Sequence, residues 1–246
     1  MSKSAFFSAL IALFCAGSMW GQGQTPKRWR FDASLGASYN SGNVEDLNLK
    51  NAGTITRNDS ILSFHFGYKI VYSASDKTET NLNAKGGTKV DFLQYGQWSP
   101  FVAVEFLSNQ YKGYNYKVGA LSGVKFRIYS RPDTCDYSIS CAFMFERVDY
   151  TPKENKLDNR AYRLSLRPKI KQKLGNIVSL TGCVFYQPSL ESIDDYIIDV
   201  LGALDIKVTS HFYVGFNVEH EYRSMVPTEK YEHSDTYSEI VFGLKF

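Results

Sequence analysis

Acid–base chemistry in this 246-residue chain would have to start from four histidines, His65, His211, His220 and His233. A lipid hydrolase built on a strand needs a His and a Ser on one face, with Asn or Asp orienting the imidazole. None of the four stands in a His-x-Ser spacing. His233-Ser234-Asp235 puts histidine and serine on opposite sides of an extended chain. His220 shares its face with Val218 and Tyr222, the company of an interfacial aromatic position. Glu219 and Glu221 share a face, as glycosidase carboxylates do, but a charged interior gives such pairs without catalysis. No catalytic residue is assigned, and the chain is not expected to be an enzyme.

Cysteine chemistry is equally thin. Cys15 follows the bulky Phe14, where a lipoprotein leader carries a small residue. Cys135, Cys141 and Cys183 are odd in number, so complete internal pairing is impossible. Cys135 and Cys141 lie on one extended segment, about 20 Å apart at the usual rise, too far to bridge. No Cys-x-x-Cys spacing exists, so free thiols are expected, with no metal and no cofactor.

The charges carry more information through their placement. Along each extended segment they keep to one parity, and the other parity is apolar. In 160–171, Tyr162, Leu164, Leu166 and Ile170 oppose Arg163, Arg167, Lys169 and Lys171. In 196–208, Ile198, Val200, Leu204 and Ile206 oppose Asp199 and Asp205. In 212–222, Phe212, Val214, Phe216 and Val218 oppose Glu219 and Glu221. The same parity places Glu105, Glu146 and Glu239 on polar faces. A period of two means strands with one greasy side. If that side meets lipid, all these charges line an interior.

Such strands recur about twelve times between Trp29 and Phe246, separated by turn residues such as Ser41-Gly42-Asn43, Arg131-Pro132-Asp133 and Leu174-Gly175-Asn176. Each is near the roughly 9–11 residues that a tilted membrane strand needs. Two segments are blemished. Asn51 interrupts the apolar side of 47–56, and Pro168 sits in the middle of a strand, where a bulge is expected. Turns after even-numbered strands are brief, and most loops after odd-numbered ones are longer. The fold expected is all-β, a transmembrane antiparallel up-and-down barrel. A secreted β-sandwich shows the same alternation. The alternating turn lengths, Tyr or Trp at strand ends and the terminal Phe246 favour lipid. Phe246 closes a strand with Ile240, Phe242 and Leu244 at alternate positions, which is read as an assembly signal.

The bounds agree. Residues 1–21 read as a signal peptide, with Lys3 before an apolar run too short to span a bilayer, leaving 22–246 as one barrel domain. Aromatics make up 15% of the chain, as interfacial girdles require. The net charge of +3 is dispersed, so nucleic acid is excluded as a partner. The expected location is the outer membrane, with its lipids and the barrel-assembly machinery as partners.

From Ser41-Gly42-Asn43 and Leu47-Asn48-Leu49 onward, the chain resembles the salt-induced outer-membrane proteins, domain of unknown function 481. The likeness continues through Pro100-Phe101-Val102-Ala103-Val104-Glu105-Phe106 and Tyr111-Lys112-Gly113-Tyr114-Asn115-Tyr116 to Gly119 and Gly123. It covers roughly residues 29–246. The resemblance implies an outer-membrane barrel and transfers no catalytic or ligand-binding residue. Three roles stay open: a structural, stress-related barrel filled by its own side chains; a porin-like narrow channel for small polar or ionic solutes; and a lipid hydrolase or adhesin.

Overall fold

The computed structural model describes residues 29–40, 46–59, 61–75, 81–109, 114–131, 134–151 and 157–245. Residues 1–21, read above as a signal peptide, and Phe246 lie outside them. Twelve antiparallel strands form a closed barrel, each bonded to its sequence neighbours, with the last paired to the first. They are β1 (Trp29–Asn40), β2 (Asp46–Asn58), β3 (Leu62–Ser75), β4 (Asn81–Phe92), β5 (Trp98–Asn109), β6 (Tyr114–Arg131), β7 (Cys135–Tyr150), β8 (Arg160–Leu174), β9 (Val178–Pro188), β10 (Tyr196–Lys207), β11 (Phe212–Arg223) and β12 (Ser234–Lys245). Closure runs from Asp32↔Lys245 to Ala37↔Ile240. A closed ladder leaves no open edge, the condition for β-structure in hydrocarbon.

The apolar parity faces outward. Leu35, Leu49, Val104, Phe143, Ile170, Val200, Phe216 and Ile240 are all exposed on the outer wall. Aromatic rings cluster at both rims. Trp98 packs on Phe126 and Tyr129 on Tyr137 near the short-turn end, with centroids 4.5 and 6.0 Å apart. At the long-loop end, Tyr196 lies between Tyr186 and Tyr222, at 6.1 and 6.0 Å. Two girdles flanking an apolar band match a wall built for lipid.

Both blemishes have local explanations. Asn51 faces outward and is exposed, in firm register between Leu35 and Ile70. Two residues on, Gly53 also faces out, because the Tyr68 ring lies across it. A Cβ there would stand 2.6 Å from Tyr68 Cε1. Pro168 does not create the expected bulge. Leu166↔Tyr186 and Lys169↔Cys183 keep one register, and the ladder merely lapses between them. Proline lacks the N–H, so a rung is lost without an extra residue. The register shifts lie elsewhere, between Leu107 and Asn109 and at Tyr114/Tyr116 and Arg127/Tyr129.

Strand lengths also depart from expectation. β6, β7 and β8 have 18, 16 and 15 residues. Arg131 ends β6 at the short-turn rim, and Arg147 and Arg160 stand together at the long-loop rim, so these tips run past the apolar band. Cys135, Cys141 and Cys183 are free thiols.

Val104 is 55% exposed on the outer wall. Replacing it with lysine puts a charge against hydrocarbon, and Val104→Lys should lower unfolding stability in lipid vesicles by about 2–4 kcal/mol. Equilibrium unfolding in denaturant, compared with wild type, checks this.

Candidate functional site in the barrel interior

The inward parity brings the charges together on one inner wall. Glu105, Glu146, Arg163, Lys171, Asp199, Glu221 and Glu239 are buried there, and Arg167, Lys169, Asp205 and Glu219 are half-buried. β8 supplies bases, and β10 and β11 supply acids. β9 separates β8 from β10 and presents mainly small or uncharged residues inward, among them Ser179, Thr181, Cys183 and Phe185. Partners come from other strands instead.

Near the long-loop end, Glu146 on β7 is the hub. Its carboxylate accepts Lys117 Nζ from β6 and lies 3.7 Å from Arg163 Nε of β8. Arg163 also donates to Asp195 Oδ2 at 2.7 Å and to the carbonyls of Gln187 and Asp195. Gly119 makes room beside this group; a Cβ there would stand 2.7 Å from Glu105 Cγ. Arg223 donates to Glu221 Oε1 at 2.7 Å. Its guanidinium also lies 5.6 Å from the ring centroid of Tyr114, a fully buried side chain.

At mid-height, Glu239 on β12 accepts Lys50 of β2, Asn217 Nδ2 at 2.8 Å and Tyr237 Oη at 3.2 Å. Lys69 sits 4.9 Å from the Tyr237 ring centroid. Lys85 Nζ of β4 lies 3.5 Å from Glu219 Oε1 of β11. Toward the short-turn end, Lys245 stands 3.7 Å from Asp205. Asp91 there is approached by Lys89, by His65 Nε2 at 3.6 Å and by Lys125 at 4.0 Å.

Two of these contacts span the lumen. β4 and β11 are separated by four strands one way round and six the other, and so are β6 and β11. Lys85–Glu219 and Tyr114–Arg223 therefore tie opposite walls at two levels. Beside and below the lower tie lies a cavity of about 90 Å³ lined by Asp32, Lys50, Lys69, Asp205, Glu239 and Lys245, among others. That is room for a few waters.

Several interior residues were not among the sequence candidates. Lys50, Lys69, Lys85, Lys89, Lys117 and Lys125 all follow the inward parity, which was the available signal. Met144, Val148, Phe185, Ile197 and Leu201 are buried on the inner side; an apolar residue on a polar parity gives no sign of its role. Outside, His220 Nδ1 lies 2.8 Å from Thr236 Oγ1, and its Nε2 lies 3.4 Å from Ser234 Oγ. This cross-strand trio was invisible to a search along one strand. Thr236 occupies the orienting position, and a hydroxyl does not stabilise an imidazolium as a carboxylate does.

The family profile described as "Protein of unknown function, DUF481" matches residues 33–246. No curated protein matches the chain. Among solved structures, the NanC porin is similar at 8% identity and TM-score 0.51, covering 87% of this chain and 97% of its own. A bacterial polysaccharide outer membrane secretin is similar at 9% identity and TM-score 0.47, covering 89% and 97%. The beta domain of the Bordetella autotransporter BrkA is similar at 11% identity and TM-score 0.42, covering 89% and 97%.

Glu146 is the acceptor for the buried ammonium of Lys117 and a second acid beside Arg163, so truncating it takes the closest partner from Lys117. Glu146→Ala should cost about 3–5 kcal/mol of unfolding stability. Asp59→Ala, which breaks the exposed Arg57–Asp59 pair, should cost about 0–1 kcal/mol. Denaturant unfolding of the two variants side by side reads the contrast.

Proposed function

The chain belongs to the DUF481 family, and we propose that it is an outer-membrane barrel closed by its own side chains, with a structural, stress-related role in the wall. The pair Lys85–Glu219 carries this reading, because it joins opposite walls across the lumen. Tyr114–Arg223 repeats the crossing nearer the long loops. The outward apolar band and its two girdles support the lipid setting. Export by the leader in residues 1–21, and recognition of the strand ending at Phe246 by the assembly machinery, belong to the same reading.

A narrow channel for small ionic solutes is the second reading. It draws on the charged cavity beside the lower tie and on the shared fold of the NanC porin. In that case the crossing pairs would act as a gate, with charged rings setting selectivity.

Planar-bilayer recording separates the two. The filled barrel should show no unitary conductance as wild type. Lys85→Ala combined with Glu219→Ala and Arg223→Ala removes both ties and should bring discrete conductance steps. Steady unitary currents from the wild type would overturn the filled reading in favour of the channel.

A further inference from the structure

The short-turn half of the interior holds a second arrangement that the crossing ties do not use. β6, β7 and β8 are neighbours, and their register aligns two rungs. One is Lys125–Ser140–Arg167 and the other is Arg127–Ser138–Lys169. In each, a small buried serine of β7 lies between two long cations. Strands two apart are about 10 Å from one another, so the serines form a floor and the cations its walls. Arg127 is already committed, donating to Asp136 Oδ1 at 3.1 Å and to the carbonyls of Gly96 and Gln94. Arg167 donates from Nε to Ser140 Oγ at 3.1 Å, and its guanidinium lies over the Phe185 ring at 5.5 Å. That fixes the plane of the fork above the serine floor.

Further cation density converges from the flank beyond β5. Lys89 of β4 lies within Coulomb range of Arg167 and Lys125, and Lys125 within range of Lys169. His65 of β3 is within range of Lys89, Lys125 and Lys169. Against these stand Asp91, shared by Lys89, Lys125 and His65, Asp136, held by Arg127, and Glu105 of β5, within Coulomb range of Arg167. The other inward residues of β5, β7 and β9 at this level are Ser99, Phe101, Ala103, Ser138, Ser140, Ser179, Thr181, Cys183 and Phe185, all uncharged. Gathering cations beyond their acids in a confined space is unfavourable, and an anion relieves it.

We propose that Lys125, Arg167 and Lys169, over the hydroxyls of Ser138 and Ser140 and faced by Lys89, bind a small multivalent oxyanion of the phosphate or sulfate class. A tetrahedral oxyanion offers oxygens to both walls and the floor at once. The planar guanidinium of Arg167 takes two of them, as arginine does in phosphate recognition. A monocarboxylate spans fewer of these groups. The site goes beyond the filled-barrel reading and is independent of conduction: a barrel silent in bilayers can still hold the anion.

The folded chain in detergent micelles is titrated with sodium phosphate at low ionic strength by isothermal calorimetry, and heat-modifiable gel mobility confirms folding of each variant. Saturable one-to-one binding is expected. Sulfate should bind comparably and acetate at least about 10-fold more weakly. Arg167→Gln combined with Lys169→Gln should weaken phosphate at least about 10-fold, while Arg147→Gln on the outer wall matches wild type. Should the double variant not fold, Arg167→Lys keeps the charge and loses the fork, and should weaken phosphate relative to acetate. Absence of saturable phosphate binding in the wild type, undiminished affinity in a folded double variant, or acetate binding as tight as phosphate would each overturn the site. Conductance without phosphate binding would remove this site and the filled interior together, whereas silence without binding would remove the site alone.

Discussion

A strand has only two faces, and in a closed single-layer barrel each must live in a different medium. Everything else here depends on that division. The outer face meets hydrocarbon and tolerates no mid-wall charge; the inner face is the only place left for ionised residues. Twelve strands therefore gather the charges of their polar parity into one narrow space. The outer wall is chemically monotonous by necessity, and the character of the protein is set inside.

Crowding charges together creates a second constraint. Each buried ion costs several kcal/mol in lost hydration unless a partner compensates it. The interior answers with shared carboxylates. Glu146 serves Lys117 and Arg163, Glu239 serves Lys50 with help from Asn217 and Tyr237, and Asp91 serves Lys89 and Lys125 beside the His65 imidazole. Side chains also reach across, as Lys85 does to Glu219. Long flexible lysines suit this because the lumen is only a few side chains wide. Apolar groups such as Met144, Phe185 and Leu201 fill what the pairs leave. Among the described residues, these pairs and groups pack the interior, and its β4–β8 side gathers Lys89, Lys125, Arg127, Arg167 and Lys169.

The parity rule explains how much could be read beforehand. Strand number, orientation and the inward direction of Glu105, Arg163 or Asp199 follow from a period of two, which survives any arrangement of the strands. The rule failed where local chemistry departs from average. Pro168 suggested a bulge, but its missing N–H cost a rung and no residue was added. The lengths of β6 to β8 were underestimated because their tips leave the apolar band and lose the signal. Parity put bases on the β8 wall and acids on the β10 and β11 walls but named no partners. β9 keeps those walls apart, and sequence proximity says nothing about distance across a lumen. His220 and Ser234 meet only through the β11–β12 register.

By itself, then, the chain determined which residues turn inward and which outward, because side-chain alternation is a property of a single extended strand. The closing of β12 on β1 decided who meets whom. It set Lys85 opposite Glu219 and brought Tyr114 under Arg223, while the registers of β6, β7 and β8 aligned Lys125, Ser140 and Arg167 in one rung. Those contacts depend on strand register and on the curvature of the wall, neither of which is encoded in any one strand.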